Sequence, residues 1–164
     1  MTPGARTAYA ARAGIVLDLA AAELFERTYR EGMDLVAEAS AYLDGAGRLE
    51  ARRLSREAAS DYVAESMRLT TRLMQVSSWL LVQKSVRDGE TPPDAAADPR
   101  YRLAGHPSAR LSPRLPVALA DLSRRIDRLF ERVSRMDHQI YVEVEAPANP
   151  VASQLDRLRS AFAG

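Results

Sequence analysis

Few residues in this chain have types and spacings that could support chemistry, and each competes with a purely structural role. Histidine occurs only at His106 and His138. His138 follows Asp137, but a metal site needs further ligands at helical spacing and none accompanies it. His106 precedes Pro107 and reads as an exposed loop residue. The chain has no cysteine, which excludes thiolate nucleophiles, disulfides and thiolate-rich metal sites. Ser77 and Ser78 have no base placed to activate them. Gly45-Ala46-Gly47 lacks the glycine spacing and the preceding strand of a phosphate-binding fingerprint, which leaves a turn. No catalytic, cofactor-binding or metal-binding residue is therefore expected, and the chain does not read as an enzyme.

Two charged groupings remain. Glu65 borders an apolar stripe beside Arg68 and Arg72, where a buried carboxylate–arginine network would fix packing rather than perform catalysis. Arg124, Arg125, Arg128, Arg132 and Arg135 form a basic stripe interrupted by Asp121, Asp127, Glu131 and Asp137. The stripe reads either as a solvated face balanced by those acids or as a docking surface for an acidic protein partner. Nucleic acid fits poorly. The formal net charge is only +1 over 164 residues, no aromatic residues interleave with the arginines, and the acids would repel phosphate.

The elements that must position these groups are helical. Between residues 18 and 43, Phe25, Tyr29, Gly32, Val36, Ala39 and Leu43 recur at steps of three and four, and Leu24, Leu35 and Tyr42 widen the stripe. Gly32 on that face would let a neighbouring helix approach closely. A second helix is expected over 55–88, with Ser55 as N-cap and Gly89 just past the C-cap. At 1.5 Å per residue it would reach roughly 50 Å. It is apolar on more than one side: Leu69, Leu73, Val76 and Leu80 trace one face, while Met67, Met74 and Leu81 trace another. Five prolines between residues 90 and 113 make 89–113 a loop. The third helix, 114–140, carries Leu115, Leu119, Leu122, Ile126, Leu129, Val133, Met136 and Ile140 in a heptad seam.

The expected architecture is all-α: a three-helix bundle over 18–141 with a long central helix. It is flanked by a flexible N-terminus at 1–17 and a disordered C-terminal tail at 142–164. Asn149-Pro150 would cap a short amphipathic peptide in that tail, with Val151, Leu155, Leu158 and Phe162 on one face. A tethered peptide of this form suits docking onto a partner. Met67, Leu73, Met74, Leu80 and Leu81 are expected to serve the core or a dimer face, because the apolar surface exceeds what three helices need to bury. No apolar run is long enough to span a bilayer, so membrane insertion is not expected and the expected location is the cytoplasm.

Two stretches taken together resemble the RcdA family, named for regulation of CtrA degradation. One is Glu31-Gly32-Met33-Asp34-Leu35-Val36, continuing through Tyr42-Leu43-Asp44-Gly45 to Gly47-Arg48. The other is Glu65-Ser66-Met67-Arg68-Leu69-Thr70-Thr71-Arg72-Leu73-Met74-Gln75, followed by Ser78-Trp79-Leu80-Leu81. The likeness is good over residues 20 to 88 and general over the third helix, and it departs at 90–112, where proline-rich sequence replaces a charged connection. The resemblance implies a homodimeric three-helix bundle with a disordered tail, without a cofactor. It further implies an adaptor that helps deliver CtrA-like cargo to the ClpXP protease. ClpX primed by a CpdR-like protein and a PopA-like second adaptor are the implied partners, and the cell pole is included among its locations. The competing reading is a helical dimer that controls a transcription factor or DNA independently of proteolysis.

Overall fold

The computed structural model describes residues 3–103 and 110–141, with side chains from residue 19 onward. Helix α1 spans Pro3–Asp44, α2 Ala46–Ala51, α3 Arg56–Arg87, α4 Pro93–Ala96 and α5 Val117–Tyr141, with a 3-10 turn at Pro99–Tyr101. No strand occurs among the described residues. The three long helices form the expected all-α bundle. Its core joins Phe25, Leu35 and Ala39 of α1, Leu69, Leu73, Val76, Trp79 and Leu80 of α3, and Leu119, Leu122, Ile126, Leu129 and Val133 of α5.

The expected helix bounds hold closely for α3. The Ser55 hydroxyl accepts the Ala58 N–H at 3.3 Å and closes its N-terminus. At the other end Gly89 adopts φ +76°, a left-handed conformation that costs glycine nothing. The Gly89 N–H donates to the Val86 carbonyl at 3.1 Å, and the Glu90 N–H donates to the Ser85 carbonyl at 2.9 Å. This double closure satisfies carbonyls that the helix end would otherwise leave open. Helix α1 begins at Pro3 rather than near residue 18. Alanines crowd residues 5–22, alanine is the best helix former, and proline is tolerated in a first turn. The stretch expected to be a flexible N-terminus is therefore helical backbone from Pro3. The tail expected to be disordered, with its amphipathic peptide, lies outside the described residues.

The order of contacts along the helices sets the topology. Glu38 pairs with Arg125 and Glu31 with Arg132, so α1 runs antiparallel to α5. Gly32 lies against Leu80, while Lys84 reaches Glu26 further back along α1, so α1 is antiparallel to α3 as well. Between α3 and α5 the order rises together: Arg72 meets Asp127, Trp79 meets Asp137, and Gln83 meets Tyr141. These two helices are therefore parallel. A parallel pair needs a connection that returns along the bundle, as in bundles with crossover loops. The proline-rich segment is that return. Arg102 binds Asp137 near one end of α5, and Ser112 binds Asp61 near the other. The segment is not wholly irregular, because it contains α4 and the 3-10 turn, and Ala96 is buried.

Two glycines are required by close approach. A Cβ on Gly32 would lie 2.7 Å from Leu80 Cδ1, so the expected intimate contact of α1 with a neighbour is present. At the turn into α2, a Cβ on Gly47 would meet Tyr42 Cε1 and Tyr62 Oη at 2.7 Å each and the Tyr42 carbonyl oxygen at 2.8 Å. The Tyr42 hydroxyl donates to Glu50 at 2.7 Å and locks the same corner. Burial first, and then this bond to Glu50, raises the Tyr42 hydroxyl pKa above its ordinary value.

Leu73→Ala and Leu80→Ala should each lower unfolding free energy by about 2–5 kcal/mol, since both side chains are buried in the core. Gly47→Ala should cost about 1–3 kcal/mol through overpacking against backbone and rings. Urea denaturation measures all three, and losses below about 1 kcal/mol throughout would contradict this packing.

Candidate protein-interaction surface

The side chains of α3 divide among three directions. One seam (Leu69, Leu73, Val76 and Leu80) is apolar and buried. A second seam, Glu65, Arg72, Trp79 and Gln83, is also buried, yet it is largely polar and faces α5. Asp127 is the focus of this second seam. It accepts from Arg68 at 2.9 and 3.1 Å and from Arg72 at 2.5 Å. Glu65 holds the other edge of the Arg68 guanidinium, with bonds of 2.6 to 3.1 Å. The Arg72 guanidinium also covers the Phe130 ring at 4.8 Å from its centroid. The bonds to Glu65, followed by those to Asp127, raise the Arg68 pKa above its ordinary value.

The expected Glu65–Arg68–Arg72 network therefore exists, with Asp127 as the acceptor that joins its two arginines. Asp127 and Asp137 do not balance a solvated basic stripe, one of the two readings of these residues, because both carboxylates are buried. Asp137 accepts the Trp79 indole N–H at 2.8 Å and pairs with Arg102 at 3.0 Å. Arg102 also covers the Tyr141 ring at 4.4 Å, and the Tyr141 hydroxyl accepts from Gln83 at 2.6 Å. These residues secure the last turns of α5 to α3 and to the returning segment. A readable signal existed: Ala120, Ser123, Asp127, Phe130, Ser134 and Asp137 repeat at steps of three and four, beside the apolar seam.

The third direction of α3 points outward. Met67, Met74 and Leu81 are 68%, 66% and 51% exposed, and Val63 joins them. With Thr70 and Ser77 between them, the positions 63, 67, 70, 74, 77 and 81 follow a heptad rhythm. An apolar cavity of about 410 Å³ adjoins this face, lined by Val36, Ala39 and Leu43 of α1 and Leu73 and Met74 of α3. Of the five residues expected at the core or a dimer face, Leu73 and Leu80 are core and the other three form this outer face.

The five arginines of α5 do not act as one stripe. Arg125 donates to Glu38 through two bonds of 2.6 Å, and Arg132 pairs with Glu31, so both clip α5 to α1. The bond from Arg125 holds the Glu38 carboxyl below its usual range. That contribution is full above the ordinary carboxylate pKa and fades as pH falls through the lowered one. Arg124, Arg128 and Arg135 are exposed. Among the described residues, no group of three or more His, Cys, Asp or Glu could hold a metal ion, and no helix is long and apolar enough to cross a membrane. Val151, Leu155, Leu158 and Phe162 lie outside the described residues.

Asp127→Ala should cost about 3–5 kcal/mol, because it strands two partly or fully buried guanidiniums. Arg125→Gln should cost about 1 kcal/mol or less, since its pair with Glu38 is solvent-exposed. Equal losses for the two, measured by chemical denaturation, would mean that the Asp127 site is not desolvated as described.

Comparison with known proteins agrees with this architecture. The family described as "Protein of unknown function (DUF1465)" matches residues 17–162. Among solved structures, the chain is similar to the crystal structure of RcdA from Caulobacter crescentus CB15. The two are 54% identical with a TM-score of 0.63, and the match covers 73% of this chain and 92% of that one. No curated protein matches.

Proposed function

Since the chain belongs to the RcdA family and to the family of unknown function DUF1465, we propose that it is a non-enzymatic, protein-binding adaptor that delivers CtrA-like cargo to the ClpXP protease. The observation that carries this reading is the outer face of α3. Val63, Met67, Met74 and Leu81 are exposed along a helix whose other two faces are already packed. A contiguous apolar face of this kind marks a protein–protein contact. In the proposed assembly a second copy covers it, with Thr70 and Ser77 as the small residues between methionine and leucine knobs.

The division of labour then follows. The homodimer is the platform, and ClpX primed by a CpdR-like protein is the destination. A PopA-like adaptor extends delivery to further cargo, and the segment carrying Val151, Leu155, Leu158 and Phe162 is the tethered docking peptide. Ordering that dozen residues costs at least about 1 kcal/mol each, and burying its four apolar side chains returns about 6–12 kcal/mol in all. The near balance makes a partner surface necessary for stable folding. Division of the α5 arginines by Glu38 and Glu31 weighs against a regulator that binds DNA through an uninterrupted basic stripe. The cytoplasm, including the cell pole, is the location that goes with this role.

Sedimentation equilibrium at micromolar concentration should give a mass near twice 18.1 kDa. Met74→Glu should restore the single-chain mass with a stability change within about 0.5 kcal/mol, as for an exposed position. A wild-type monomer would remove the dimer from the proposal. Pull-down with the intact protein should retain ClpX and a CpdR-like protein. Deleting residues 147–164 should leave melting temperature and dimerisation unchanged while abolishing cargo retention. Retention of cargo by the truncated protein would contradict the role given to the tail.

A further inference from the structure

A concavity of about 490 Å³ lies between α1 and α5, over the buried side chain of Leu35. Arg27 and Arg30 contribute to it from α1, and Arg128 contributes from α5. All three are exposed and form no ion pair among the described residues. Two other charged residues of the lining, Glu31 and Arg125, are neutralised by partners beyond it, Arg132 and Glu38 respectively. What remains is three guanidiniums against the single carboxylate of Asp34, an uncompensated charge of +2 by that subtraction. The two interhelical ion pairs clip α1 to α5 beside the basin and fix the helices that carry the three arginines. A concave wall of protein also concentrates their field relative to the same charges on a flat surface.

We propose that this basin binds an acidic peptide segment of a protein partner, presenting at least two carboxylates to Arg27, Arg30 and Arg128. Guanidinium forks match carboxylates bidentately. Nucleic acid is the weaker fit. No aromatic side chain lines the basin for a base to stack on. Binding at this site is separate from delivery to a protease, since it requires only the folded chain and the peptide.

The test uses the purified full-length protein and fluorescence anisotropy. The probe is a fluorescein-labelled decapeptide of alternating glutamate and alanine, with its glutamine–alanine counterpart and an oligothymidylate of equal charge as comparisons. The glutamate peptide should bind at least about tenfold more tightly than either comparison, and its affinity should fall as salt is raised. The double variant Arg30→Gln/Arg128→Gln should weaken binding by about tenfold or more, at an unchanged melting temperature. Arg124→Gln, on the same helix but outside the basin, should change it by less than about twofold. No binding of the glutamate peptide, equal binding of the oligothymidylate, or equal losses for Arg124→Gln and the double variant would each overturn the proposal. None of those results bears on whether ClpX and cargo are retained in the pull-down.

Discussion

The acceptance of two guanidiniums by the Asp127 carboxylate is the interaction on which the bundle depends. Desolvating a carboxylate and two arginines is costly, and the mutual attraction offsets that cost only in close, well-satisfied geometry. Asp127 and Glu65 provide that geometry around Arg68, with Arg72 resting on Phe130. A slip of α5 along α3 by one heptad would leave charges buried and unpaired, whereas the apolar seam, which repeats at that spacing, would still face its partner. The ionic cluster thus specifies the register, and hydrophobic burial supplies most of the driving force.

Several features follow from that register. Parallel alignment of α3 and α5 requires the segment between them to return along the bundle, which accounts for its length and for prolines that keep it from continuing α3. Arg102 and Asp137 anchor one end of that return, and Ser112 and Asp61 anchor the other. Once α5 and α1 have taken their two faces of α3, the third face remains. In a bundle that acted alone this face would be polar. Here it carries Val63, Met67, Met74 and Leu81, and methionine adapts readily to a partner's shape. The same helix therefore holds the fold together on two faces and presents an exposed apolar face on the third.

Much of the fold was legible in the chain because its signals are local. Ser55 and Gly89 mark the ends of α3, and Leu119, Leu122, Ile126, Leu129 and Val133 repeat with the helical period. The two-sided apolar pattern of α3 anticipated both a core face and an outer face. Pairings between distant residues were harder to read. Asp127 and Asp137 look like surface acids when α5 is considered alone, and only the positions of Arg72 and Trp79 on another helix bury them. The parallel sense of α3 and α5 was hidden for a similar reason, since a long proline-rich segment allows either direction. Likewise, Arg125 and Arg132 look equivalent to Arg128 along one helix, and only α1 distinguishes them by placing Glu38 and Glu31 opposite the first two.

The proposed role is one in which the bundle lends its outer surface and its tail to substrate delivery. It is tested most directly by the initial rate at which purified ClpXP, with a CpdR-like protein, degrades a CtrA-like substrate as this protein is titrated in. The account predicts a rate that rises with the amount of adaptor and then falls at large excess, once adaptor bound to the protease and adaptor bound to substrate are separate molecules. A rate that stays flat over the whole titration would contradict it.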